Sequence, residues 1–226
     1  GLHSEDPVTI VNAIAELPNI EIEGVFSHFP SSDEADKAFS RIQIERFNRV
    51  VADLKAAGIA PRYRHLANTG AVIDFPEQLP YELVRPGVAV YGLFPSGDVD
   101  QSVPLKPALK LQSRIVKLTR HYQDWTIGYG RTFTAKPGSV VATVPIGYGD
   151  GFPRALSNRG SALIHGVRVP IVGRVSMDMI TLDVTNLPEP ARLYDEVILI
   201  GEQRWDAPNG ESRTDEINAM ELADLV

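Results

Sequence analysis

The sequence contains no cysteine, which excludes a disulfide framework, a thiolate nucleophile and a cysteine-bound zinc cluster. It also lacks an excess of positive charge. Its 22 Lys and Arg stand against 29 Asp and Glu, a formal net charge of -7, so neither a nucleic acid nor an anionic membrane surface is an expected partner. No apolar run approaches the ~20 residues of a membrane span. The first residues, Gly-Leu-His-Ser-Glu-Asp, show no signal-peptide pattern. A soluble cytoplasmic protein without a metal centre is therefore expected. What is present is 43% hydrophobic content over 226 residues, enough to pack one large domain or two modest ones.

Along the chain the texture changes once. Asp6-Pro7 reads as an N-cap followed by proline at the first helical position, and Ile10, Val11, Ile14 and Leu17 repeat at helical spacing as far as Pro18. Residues 20–29 read as a covered strand that presents Ser27 and His28 at its end. A helix is predicted from about Asp36 to Ala57, with Ile44, Phe47, Val51 and Leu54 on one face. A short strand follows around Tyr63–Leu66, then a polar turn at Asn68-Thr69-Gly70 and an apolar stretch from Leu83 to Leu93. This alternation predicts parallel α/β structure over 1–104. Over 105–226, short alternating runs separated by turn residues predict an all-β module, in which His165-Gly166 is a two-residue hairpin signal between strands within 162–175. Ile127-Gly-Tyr-Gly130 is echoed by Ile146-Gly-Tyr-Gly149, too short to imply repeated domains.

Five stretches in sequence order carry a resemblance to a family: His65-Leu-Ala-Asn-Thr-Gly70, Val84-Arg-Pro-Gly-Val-Ala-Val-Tyr-Gly92, Gly128-Tyr-Gly-Arg-Thr132, Pro145-Ile-Gly-Tyr-Gly-Asp-Gly151 and Pro170-Ile-Val-Gly-Arg-Val-Ser-Met-Asp178. Together they resemble the pyridoxal-phosphate-dependent alanine racemases. The resemblance implies the C-terminal part of a β/α (TIM-like) barrel over 1–104 and a β-rich domain over 105–226. The family's cofactor lysine, which precedes Ala-Asn-Ala-Tyr-Gly-His-Gly, has no counterpart in the sequence, nor has its C-terminal tyrosine. A barrel needs about eight strands and at most four are legible, so roughly half of an ordinary ~250-residue barrel is expected to lie outside this sequence.

Racemisation removes the α-proton from one face and returns one to the other, so two bases are wanted, and the cofactor supplies the electron sink. By resemblance Tyr129 is one base and the lysine outside this chain the other. A phenol with an ordinary pKa of ~10 needs neighbours to work as a base at neutral pH. Arg85 resembles the arginine that donates to the cofactor's pyridine nitrogen, keeping it unprotonated and restraining side reactions such as transamination. Thr69, Gly87 and Val88 fall where the family holds the phosphate, and His65 resembles a histidine that orients the arginine. Met177 looks like the residue whose backbone N–H meets the substrate carboxylate, with Asp178 adjacent, while Tyr148, Arg154 and Arg174 match positions lining the substrate channel. Read without the family, these residues are a tyrosine beside a hairpin turn, a surface or salt-bridged arginine, an Asn-Thr-Gly turn, a core histidine, a core methionine, and solvated charges with one packed aromatic. His28 is a weaker candidate, and His165 is read as turn chemistry.

The resemblance further implies a homodimer in which Tyr129 of one subunit serves the other's cofactor, with alanine as substrate and D-alanine for peptidoglycan as product. A related pyridoxal-phosphate decarboxylase would use a catalytic cysteine, which is absent. A broad-specificity or serine racemase stays open, since pocket volume decides between small amino acids. So does a non-catalytic fragment, and the chain by itself is expected to be inactive.

Overall fold

The computed structural model describes Leu2 and residues 6–77 and 79–226. It divides into two compact units, Gly1–Ala108 and Leu109–Val226.

Unit 1 opens with α1 (Pro7–Ala15), started as its sequence predicts. The Asp6 carboxylate accepts from the Thr9 N–H at 3.1 Å and from the Thr9 hydroxyl at 2.6 Å, satisfying a donor that has no partner inside the helix. Strands β1 (Gly24–Phe26) and β2 (Tyr63–His65) pair in parallel, Val25 opposite Arg64 and Phe26 opposite His65. The predicted strand over 20–29 is trimmed to the three residues that pair with β2. Between them runs α2 (Ala38–Ala56), which buries Ser40, Ile44, Phe47 and Leu54. Its apolar face packs with Phe29, Leu66, Ala71 and Phe75 into one core. The described sheet of this unit has two strands and is not closed.

One expectation is corrected here. Asn68-Thr69-Gly70 is not an isolated turn but the start of α3 (Thr69–Asp74). Asn68 Oδ1 accepts from the Ala71 N–H at 3.2 Å and from the Ser32 hydroxyl at 2.6 Å, and Asn68 Nδ2 donates to the Phe29 carbonyl at 3.2 Å. An asparagine suits either a turn or a cap, and these distant partners decide for the cap. The stretch Leu83–Leu93 forms no strand; Val88–Tyr91 within it is a 3-10 turn.

Unit 2 is antiparallel β structure. A three-stranded sheet sets β7 (Val140–Val144) between β4 (Lys117–Arg120) and β10 (Ile180–Asp183). In a second sheet, the long β11 (Glu196–Asp206) pairs with β3 (Leu111–Arg114), β8 (Ser161–Ile164) and β12 (Ser212–Ile217), and β8 pairs with β9 (Val167–Pro170). A hairpin of β5 (Trp125–Ile127) and β6 (Phe133–Ala135) completes the sheets, and α4 (Ala219–Ala223) follows. The two larger sheets share a core that includes Ile115, Leu163, Ile180, Leu182 and Ile198.

The β8–β9 connection is the predicted His165-Gly166 pair. Both residues have positive φ, 55° and 68°, as the favoured two-residue turn requires. The His165 side chain does more than close the turn: it is buried, meets Asp195 Oδ2 at 2.8 Å and stacks on Trp205 at 4.2 Å between ring centroids. His121 likewise stacks on Trp125, at 6.4 Å.

Because Asn68 caps α3 and ties it to Ser32 and Phe29, Asn68→Ala is expected to destabilise unit 1 by about 1–3 kcal/mol. Urea denaturation followed by far-UV circular dichroism measures it, and an unchanged midpoint would show the cap to be dispensable.

Candidate functional site

In unit 1, the end of β2 and the segment after Leu83 bring His65 and Arg85 together. Arg85 Nη1 contacts His65 Nδ1, while Arg85 Nη2 donates to the Ser27 carbonyl at 2.8 Å, to His28 Nδ1 at 3.2 Å and to the Leu66 carbonyl at 3.4 Å. Arginine only donates, so His65 Nδ1 must accept and its proton sits on Nε2. Desolvation by burial, and then the positive charge of Arg85, hold the His65 pKa below its ordinary value. The imidazole is therefore kept neutral, the form that can receive the Arg85 N–H. Phe26 stacks parallel to the His65 ring at 5.0 Å and lies 5.6 Å from the Arg85 guanidinium carbon. With the two terminal nitrogens engaged, the Arg85 Nε–H has no protein acceptor among the described residues.

Thr69 is 5% exposed and its hydroxyl makes no hydrogen bond among the described residues, a state that costs free energy unless a ligand or water answers it. A Cβ placed on Gly87 would stand 3.8 Å from that hydroxyl. The bare backbone of Gly87 thus leaves open the space in front of Thr69, and Val88 begins the adjoining 3-10 turn, whose first N–H groups have no partner inside it. An unpaired buried hydroxyl facing a side-chain-free backbone suits a phosphate-sized acceptor.

In unit 2, Tyr129 opens a short 3-10 turn (Tyr129–Arg131). Gly128 and Gly130 on either side have φ of 71° and 72°, conformations that L side chains rarely adopt. Space imposes the same demand: a Cβ on Gly130 would lie 3.2 Å from the Arg174 guanidinium carbon, and one on Gly128 3.1 Å from the Arg174 nitrogen. The phenol is consequently pushed outward, and Tyr129 is 73% exposed. The echo at Ile146-Gly-Tyr-Gly149 builds a second 3-10 turn (Tyr148–Asp150). There the constraint is close approach: a Cβ on Gly147 would fall 2.3 Å from the Ser176 oxygen, and Tyr148 N–H and Gly149 N–H donate to the Ser176 and Met177 carbonyls at 3.0 and 2.8 Å.

Tyr129, Tyr148, Arg154 and Arg174 line one open depression of about 530 Å³. A neighbouring depression of about 370 Å³ shares Tyr129 and Arg174 and extends over Thr143, Ser176 and Thr181. Met177 lies on the adjacent loop, 64% exposed, and its backbone N–H has no protein acceptor among the described residues. The Asp178 side chain is exposed beside it. Sequence reasoning missed two residues that build this site, Ser157 and Asn158. Their contacts reach residues 15 to 26 positions away, and no local pattern announces them.

The family model for the alanine racemase N-terminal domain matches residues 1–95, and that for the alanine racemase C-terminal domain matches residues 108–223. An alanine racemase of Carboxydothermus hydrogenoformans is 44% identical over 219 residues, 96% of this chain and 56% of that protein. Among solved structures, the alanine racemase of Clostridium difficile 630 in complex with cycloserine is similar at a TM-score of 0.86 with 33% identity, over 98% of this chain and 56% of that one. The alanine racemase of Bartonella henselae with covalently bound pyridoxal phosphate gives a TM-score of 0.75 with 30% identity, over 88% and 53%. The chain spans about half the length of the curated relatives it matches.

The lowered His65 pKa generates a test. Its NMR titration midpoint is expected below the ordinary ~6.5. Arg85→Met should raise it only part of the way, because burial is the larger cause. The folded chain then binds fewer protons than the unfolded one just below that pH, so stability falls on acidification from about 6.5 and levels off below the folded midpoint. A midpoint at or above the ordinary value would contradict the neutral acceptor.

Proposed function

Because the chain belongs to the alanine racemase family, we propose that it forms part of an enzyme interconverting L- and D-alanine on pyridoxal phosphate, and that its own residues supply one base and most of the cofactor's non-covalent grip. The observation that carries this reading is the exposed Tyr129 phenol, held out by two left-handed glycines over a depression lined by two arginines.

When bound, pyridoxal phosphate withdraws electron density from the substrate α-carbon, so that its proton can leave. Tyr129 Oη takes or returns that proton on one face. Arg85, fixed through its terminal nitrogens by His65, Ser27 and His28, has its Nε–H left and would offer it to the pyridine nitrogen, where an arginine that does not give up a proton would leave that nitrogen unprotonated. The orphaned Thr69 hydroxyl and the backbone at Gly87 and Val88 would hold the phosphate. The Met177 N–H, beside Asp178, would receive the substrate carboxylate, and Arg154 and Arg174 would draw that anion in past Tyr148. The residue that binds the cofactor covalently is not in this sequence, so turnover needs a polypeptide that also contains the lysine. On this reading the two-stranded parallel sheet of unit 1 is an arc of a β/α barrel. The active enzyme is a homodimer in which Tyr129 serves the partner subunit, and its cytoplasmic product feeds peptidoglycan.

Tyr129→Phe in the polypeptide that carries the lysine is expected to lower racemisation by about 10²–10⁴-fold, read by a D-amino-acid-oxidase-coupled assay; wild-type turnover would sink the assignment. Mixing that variant with a lysine-less one should restore partial activity through hybrid dimers. No recovery after verified subunit exchange would mean that the base acts in its own subunit.

A further inference from the structure

We propose that Asn158 is a positioning residue, whose amide fixes the Tyr129 turn against the Arg174 segment. This rests on the reading of Tyr129 as the base.

Asn158 follows the 3-10 turn Arg154–Leu156 and adopts a left-handed conformation, φ 55°. Its Oδ1 accepts from the Gly173 N–H at 2.6 Å, and its Nδ2 donates to the Thr132 hydroxyl at 2.9 Å. The backbone donor at Gly173 settles the amide's orientation, since only the oxygen can receive it. Thr132 closes the turn that begins at Tyr129, and Gly173 immediately precedes Arg174. One planar amide therefore spans the two segments that carry the phenol and the guanidinium.

Ser157 doubles the grip. Its hydroxyl accepts from the Val175 N–H at 3.0 Å and donates to the Arg154 carbonyl at 2.5 Å. The N–H groups on both sides of Arg174 are thus held by consecutive side chains of a single turn, and that turn also bears Arg154. Three residues of the 530 Å³ depression, Tyr129, Arg154 and Arg174, are tied together by these four hydrogen bonds. Tyr129 needs such an anchor. Its own turn has two glycines and its side chain is mostly in solvent, so little packing restrains where Oη points, and a misplacement near 1 Å can cost ~10²-fold in rate.

The test uses two variants and two readouts. Asn158→Gly removes the amide but keeps the left-handed backbone accessible. Thr132→Val removes only the far acceptor and stands in if the glycine variant does not fold. In the chain labelled with 3-fluorotyrosine, the Tyr129 resonance is the one missing from Tyr129→Phe. Both variants should shift and broaden it while leaving the Tyr63 and Tyr81 signals in place. A Tyr129 signal unmoved in both overturns the proposal. In the racemising enzyme each variant should lower kcat about tenfold, and the double variant should be no worse than Asn158→Gly, since the two share one hydrogen bond. Fully multiplicative losses also overturn it. If fluorine spectra respond as expected but the wild type racemises no alanine, the functional reading fails and the positioning role stands.

Discussion

In unit 2 the close approach of two glycines to Arg174 decides on which side of its turn the Tyr129 phenol stands. Gly128 and Gly130 approach Arg174 so closely that a Cβ on either would press on it, and their positive φ turns Tyr129 away from the core. The depression, the exposed phenol and the guanidinium lie together beside that approach. The second glycine-tyrosine turn uses a different device. Gly147 lies flat against Ser176–Asp178, and two backbone hydrogen bonds couple Tyr148 and Gly149 to the loop of Met177.

Unit 1 solves a complementary problem with charge. Arg85 is offered four acceptors, two of them imidazole nitrogens. Its contact with His65 Nδ1 needs a neutral ring, and burial, then the charge of Arg85, lower the His65 pKa in that sense. A cation held at both terminal nitrogens by several acceptors makes a rigid donor. The buried, unanswered hydroxyl of Thr69 is the opposite case, a polar group with no partner among the described residues.

Which of these features could be read from the sequence depended on the range of the forces that make them. Asp6-Pro7 and the apolar period of α2 are local and were legible, as was the His165-Gly166 hairpin. Asn68 was ambiguous, because caps and turns draw on the same side-chain chemistry and only Ser32 and Phe29 decide between them. The echoed Ile-Gly-Tyr-Gly units were visible, but that both tyrosines line one depression depends on Arg174, far along the chain. The burial of His165 against Asp195 and the bridge made by Asn158 had no local signature at all.

Both tryptophans of the chain, Trp125 and Trp205, lie in unit 2, each stacked on a histidine. Indole emission is consequently a private window on that unit, blind to the melting of α2 or the loosening of Arg85. A fluorescence transition and a helical transition that fail to coincide would mark two independently yielding bodies rather than a faulty measurement.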